Sequence, residues 1–226
     1  MKKIITFLLL LASLSGFSQS TTLVISQVYG AGGNTGAVYN ADYVELHNVS
    51  GTSQSIAGFS IQYGSATGST FSGVSALPSV SIPAGAYYLI QMSTVGANGI
   101  ALPTPDNIAS PSIAMAAGAG KVVLVNGTTA ITACNAANII DFVGYGSTAN
   151  CWEGTGPTGT LSATLAAFRG NNGCTETNNN ATDFSTAAPA PRNGASPVFT
   201  CGVVLPPTLS AGTLAGFGNV CINTLT

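Results

Sequence analysis

"VYGAGGNTGAVYNADYVELHN" spans residues 28–48. A glycine-rich loop directly after an apolar run reads either as a phosphate cradle or as a long connection between two strands. A dinucleotide fingerprint requires G-x-G-x-x-G opening a helix, so that the pyrophosphate meets the helix N-terminus. Gly30 and Gly32 fit the first two positions, but Thr35 stands at the third. After Asn40 the chain enters "DYVELHN", whose apolar and polar residues alternate as in a strand. The loop is therefore an inter-strand connection. "GAGK" (118–121) fails as a phosphate loop for similar reasons. Met115 replaces the first glycine, Val122 replaces Ser or Thr, and a strand follows.

Short apolar or alternating runs recur along the chain between Gly, Pro, Asn and Ser clusters. They are "TLVISQVY" (22–29), "DYVELHN" (42–48), "AGFSIQYG" (57–64), "GAYYLIQM" (85–92), "GKVVLVNG" (120–127), "NIIDFVGYG" (138–146) and "LAAFR" (165–169). No long segment has a 3.6-residue apolar period. "SIAMAAGAG" (112–120) has room for one helical turn, and its glycines oppose more. About seven short strands with turn signals predict an all-β sandwich.

The composition agrees with a folded, turn-rich domain. Only 5% of residues are charged, against about a quarter in an ordinary soluble domain, while 46% are hydrophobic. Low hydrophobicity with high net charge, the mark of disorder, is the opposite combination.

"MKKIITFLLLLASLSGFSQS" (1–20) has a basic start, a short apolar run and small residues, the pattern of a secretory signal peptide cleaved after Ser18 or Ser20. The run is too short to span a bilayer. The product is expected to be secreted or held at the cell surface, with no membrane partner. The mature chain keeps Lys121, Arg169 and Arg192 against seven acids, a net charge of −4. It carries no basic stripe for phosphates, so nucleic acid is not an expected partner. From residue 187 the chain loosens into "AAPAPRNGASP", and Pro206 and Pro207 mark a linker. The expected organisation is a signal peptide over 1–20, a β domain over 21–201, and over 202–226 a linker and the start of a second, truncated β domain.

The five cysteines lie in the second half. In an exported protein they read as disulfides. Cys134, Cys151, Cys174 and Cys201 allow three connectivities; the nearest pairs, Cys134–Cys151 and Cys174–Cys201, are favoured. Cys221 is left over. Zinc is disfavoured, since there is no C-x-x-C and His47 is the sole histidine.

Alternation on residues 42–48 sends Val44 and Leu46 to one face and Tyr43, Glu45 and His47 to the other. Glu45 and His47 are then placed to touch and tune one another, but no nucleophile motif accompanies them. Among Asp42, Glu45, Asp106, Asp141, Glu153, Glu176 and Asp183, no spacing singles out a glycosidase pair. Asp141, at a strand centre, suits a bond to neighbouring backbone or to an arginine. "CTETNNNATDF" (174–184) places oxygen ligands at Glu176, Asn178, Asn180 and Asp183. Calcium takes such oxygens from turn-rich segments, although this is not an EF-hand spacing. The same residues suit an Asx-turn cluster ordering a loop beside a disulfide. Calcium on these four is the one cofactor expectation.

Several of these strands, in order, resemble the lamin tail domain of secreted bacterial proteins. Asp42, Tyr43, Val44, Glu45, Leu46 and Asn48 match its "D-[YF]-[VI]-E-L-x-N" element. Gly58 and Phe59 match "L-x-G-W", with Phe in place of Trp. "SIPAGAYYLIQ", "GKVVLVN", "IIDFVGYG" and the later "APAPRN" match further strands and segments, covering roughly residues 21–201. The resemblance implies an immunoglobulin-like β-sandwich with no catalytic residues. It implies an accessory, adhesion or spacer module of a larger extracellular protein, facing a protein or polysaccharide surface. The alternative is the N-terminal accessory domain of a secreted enzyme, such as a nuclease, whose catalytic domain lies outside this chain. A third reading gives this domain its own catalysis through Glu45 and His47.

Overall fold

A computed structural model describes residues 20–202. The expected leader, the linker and second β segment beyond residue 202, and Cys221 lie outside the described residues.

Among the described residues twelve strands follow one another: β1 (Leu23–Tyr29), β2 (Tyr43–Asn48), β3 (Gln54–Ser55), β4 (Phe59–Ser65), β5 (Gly73–Ala76), β6 (Ser81–Ile82), β7 (Tyr87–Gln91), β8 (Asn107–Ile108), β9 (Gly120–Asn126), β10 (Ile139–Tyr145), β11 (Ala166–Arg169) and β12 (Phe184–Ala187). A turn with left-handed backbone at Asn171 (φ 51°) and Asn172 (φ 57°) and a single helical turn, α1 (Asn180–Asp183), separate β11 from β12. Residues 112–119 form no helix. One sheet has the order β12-β11-β1-β2-β7-β8 and the other β10-β9-β4-β5, with β3 and β6 as a small pair at the side. The architecture is the immunoglobulin-like β-sandwich, and all seven strands read from the sequence are present. The five additional ones are two to four residues long, too short to show an apolar period.

The core lies between the two sheets. Ile25, Val28, Val44, Leu46 and Ile90 meet Ile61, Val122, Leu124, Val143 and Tyr145. Ile25 and Val28 share this face although their parity differs. The register of β1 against β2 slips between Ile25 and Gln27. Ser26 is the extra residue of a β-bulge, and a bulge resets the alternation. β10 carries a second slip between Ile139 and Asp141.

Both outer faces are covered as well. Over the four-stranded sheet, Phe71, Val123, Val125, Ile131 and Phe142 form their own cluster, with Cys134 and Cys151 packed against it. Over the six-stranded sheet, Tyr29, Tyr43, Leu89 and Ala166 form another. Burial on both faces explains why "VVLV" and "YYLI" read as continuous apolar runs.

Candidate functional site

Every residue of β2 is buried. Alternation alone would leave Tyr43, Glu45 and His47 on a solvated face. They are covered because the chain after β12 turns back as a strap, residues 188–202, across β1, β2 and β7. Gln27 Nε2 donates to the Ala190 carbonyl (2.9 Å), and the Phe199 N–H donates to the Gly85 carbonyl (2.8 Å). Cys174 and Cys201 are bonded, which fastens the far end of the strap to the turn after β11; Cys134 is bonded to Cys151.

Glu45 is the strap's charged anchor. Its carboxylate accepts from Ser26 Oγ (2.5 Å), Gln27 Nε2 (2.9 Å), the Arg192 backbone N–H (2.6 Å) and Arg192 Nη2 (2.7 Å). Burial raises its carboxyl, and the bonds and charge of Arg192 oppose that rise. The Arg192 guanidinium lies 3.7 Å from the Tyr87 ring centroid, and His47 stacks on the same ring at 4.4 Å. His47 Nε2 faces the carbonyls of Phe199 (2.9 Å) and Gly85 (3.2 Å). Burial lowers its pKa against the pull of these carbonyls, favouring the neutral ring. Its Nδ1 lies 3.9 Å from Cys201 Sγ, a disulfide sulfur. Glu45 and His47 thus share a face but hold different partners, and both bind the strap.

A second charged cluster surrounds Arg169, which is fully buried at the end of β11. Its Nη2 donates to both carboxylate oxygens of Asp141 (2.9 and 2.7 Å), and its Nε donates to the Ile25 carbonyl (2.9 Å). Its Nη1 pairs with Glu176 and lies 3.7 Å from Asp183 Oδ2. Carboxylate oxygens of Asp141, Glu153 and Glu176 lie within 4.8 Å of one another. Three buried acids around one cation resist full ionisation. Burial, then repulsion from Asp141 and Glu176, pushes Glu153 up to about 9. Burial and the Asp141 charge push Glu176 up to about 7.

Glu176, Asn178, Asn180 and Asp183 carry the calcium expectation; three of them accept from protein donors, whereas Asn178 Oδ1 is buried with no hydrogen-bond partner among the described residues. Glu176 pairs with Arg169 and accepts from the Asn178 N–H (2.7 Å). Asp183 accepts from the Thr177 N–H (2.9 Å), Thr177 Oγ1 (2.6 Å) and the Asn179 N–H (3.2 Å). Asn180 Nδ2 donates to the Phe142 carbonyl (2.8 Å), and its Oδ1 accepts from the Gly144 N–H (2.8 Å). Asn178 is a positive-φ residue at 54°. The bonds of this segment are those of a side-chain-ordered loop. The acids gathered most closely are instead Asp141, Glu153 and Glu176, which arrive from two loops and β10. No spacing in the sequence announces them.

The glycine loop connects β1 to β2 and also lines a pocket of about 250 Å³. Gly32 and Gly33 stand on it, facing Ser93, Thr94 and Gly96, with Asp42 between them. A Cβ on Gly32 would sit 1.9 Å from the Ala41 carbonyl carbon, and one on Gly96 would sit 2.5 Å from Gly33 Cα. The glycines therefore serve close approach of backbone to backbone. Asp42 Oδ1 accepts from the Gly32 N–H (2.7 Å) and Oδ2 from the Met115 N–H (2.8 Å). Burial nevertheless raises its carboxyl to about 6.

Comparison with known proteins bears on the fold. A family model described as Lamin Tail Domain matches residues 17–147. Among solved structures, a DUF4876 family protein from Bacteroides thetaiotaomicron is similar, with a TM-score of 0.53 and 12% identity, over 79% of this chain and 74% of that one. At that identity the likeness shows the fold alone. No curated protein matches. The family match ends just after β10, whereas β11 and β12, beyond it, complete the six-stranded sheet to which β1, β2 and β7 belong.

Proposed function

The chain belongs to the lamin tail domain family, and from that premise we propose that it is a non-catalytic accessory, adhesion or spacer module of a multidomain extracellular protein. One observation carries this reading: Glu45 and His47, the pair on which a catalytic role for this domain was expected to rest, hold the strap in place. A general base needs a substrate proton within hydrogen-bond reach, and the strap occupies that space. The domain of this proposal is residues 21–201, clipped twice by disulfides as suits an oxidising compartment. Among the described residues no helix is long and apolar enough to cross a membrane. Export is part of the proposal, and N-terminal sequencing of the protein recovered outside the cytoplasm tests it. So is the expectation of no nucleic-acid partner.

The functional test has two arms. The protein is passed over immobilised polysaccharides and extracellular proteins, and it is assayed against phosphodiester, ester and glycoside substrates. Saturable surface binding that Glu45→Gln leaves in place supports the module. Turnover abolished by His47→Ala or Glu45→Gln overturns it in favour of a catalytic domain.

A further inference from the structure

The pocket on the glycine loop holds a charge that the protein does not neutralise. Asp42 is 3% exposed, and its two bonded donors are uncharged backbone N–H groups. The basic side chains among the described residues are engaged elsewhere. Lys121 bonds Asn150 (2.6 Å), Arg169 binds Asp141, and Arg192 binds Glu45. A buried charge is costly unless a counter-charge completes it. Each carboxylate oxygen has two lone pairs, so one bond apiece leaves acceptor capacity beside the pocket.

The walls narrow the choice of cation. Ser93 and Thr94 add hydroxyl oxygens, and the Gly33–Gly96 contact brings two backbones together at one side. Ala114, an exposed lining residue, and Met115 give the pocket an apolar wall. An ammonium offers three donors and no acceptor, and its alkyl stem gains from lying along an apolar wall. We propose that this pocket binds a primary alkylammonium group, presented as the lysine side chain of a protein partner. The proposal rests on the accessory-module reading for its context and adds the chemistry of the partner.

The test is a titration of the isotope-labelled full chain at pH 7.5, followed by the amide resonances of Gly32, Gly33 and Gly96. The probes are Nα-acetyl-lysine methylamide, its Nε-acetylated counterpart and n-butylammonium. Saturable shifts are expected with the lysine amide and with n-butylammonium, and none with the Nε-acetylated form. Equal shifts with the neutral probe, or no shifts with any, overturn the proposal. At least tenfold tighter binding of a lysine-containing peptide than of n-butylammonium is expected; equal affinities overturn the protein partner. Asp42→Asn should abolish binding, but it also disturbs two backbone bonds. Ala114→Trp supplies the second variant. Ala114 lines the pocket, is exposed, and its side chain takes no part in either bond. It should fold and lose binding, and undiminished binding there overturns the assignment. Failure of the titration leaves the accessory-module reading standing, because that reading is decided by Glu45 and His47 variants.

Discussion

Arg169 of β11 grips both carboxylate oxygens of Asp141 of β10, and the two residues together serve one bulged position in β1. Asp141 Oδ2 accepts from the Ile25 N–H (2.5 Å), and Arg169 Nε donates to the Ile25 carbonyl (2.9 Å). The pair ties the two sheets together where Ser26 breaks the ladder.

Removing one member of that pair should be costly. Arg169→Ala leaves Asp141 and Glu176 buried without their cation, and breaking a buried pair costs about 3–5 kcal/mol. Urea denaturation of Arg169→Ala and of Asp141→Asn should show large falls in midpoint. The Asp141→Asn/Arg169→Ala double variant should lose less than the sum of its parts. Strict additivity would mean that the two residues act separately.

Stability should fall as pH rises. Glu153, Glu176 and Asp42 all have folded-state values raised, to about 9, 7 and 6, from ordinary values of 4.5, 4.5 and 3.8. Their folded forms hold protons that the unfolded chain releases. Their contribution is therefore full below about pH 4 and is lost progressively up to about pH 9. Melting temperature should decline from pH 5 to pH 9, and Glu153→Gln should flatten the upper part of that decline. A melting temperature that climbs over this range would refute the account.

The disulfides should differ in what they hold. They close 17 and 27 residues, and chain entropy assigns each about 3–4 kcal/mol. Cys174→Ser/Cys201→Ser should speed amide exchange over β2, whose outer face the strap covers. Cys134→Ser/Cys151→Ser should leave β2 protected and loosen the cover over Phe142 instead. Identical exchange maps for the two variants would mean that the strap does not depend on its own clip.

Calcium should not change stability. The Arg169 guanidinium already stands among the carboxylates of Asp141, Glu176 and Asp183. Melting curves in calcium and in chelator should coincide. A rise with calcium would restore the ion reading of Glu176, Asn178, Asn180 and Asp183.

The strands were legible because each carries an apolar run between turn residues, as "GKVVLVNG" does between two glycines. Asp141 was legible too: an acid at a strand centre requires a backbone or arginine partner, and it has both. The strap was not. "AAPAPRNGASP" has no apolar period, and the strap is held by one arginine, one disulfide and hydrogen bonds from side chains distant in sequence, such as Gln27 and His47. Hence the burial of Glu45 and His47 escaped a reading based on alternation. Asp42 escaped similarly, since its pocket is assembled with residues 93–96 and 114–115, distant in sequence.

Asn180 has a consequence for molecules at close quarters. β10 lies at the margin of its sheet, and the Phe142 carbonyl and Gly144 N–H are a donor–acceptor pair that a further strand would take. The Asn180 carboxamide takes both, standing in for that strand with a single side chain. An unclaimed margin is a template for edge-to-edge growth between neighbouring copies. Colloidal behaviour at high surface density is thus guarded at this margin by one amide group together with Thr158, whose N–H takes the Gly144 carbonyl (2.8 Å).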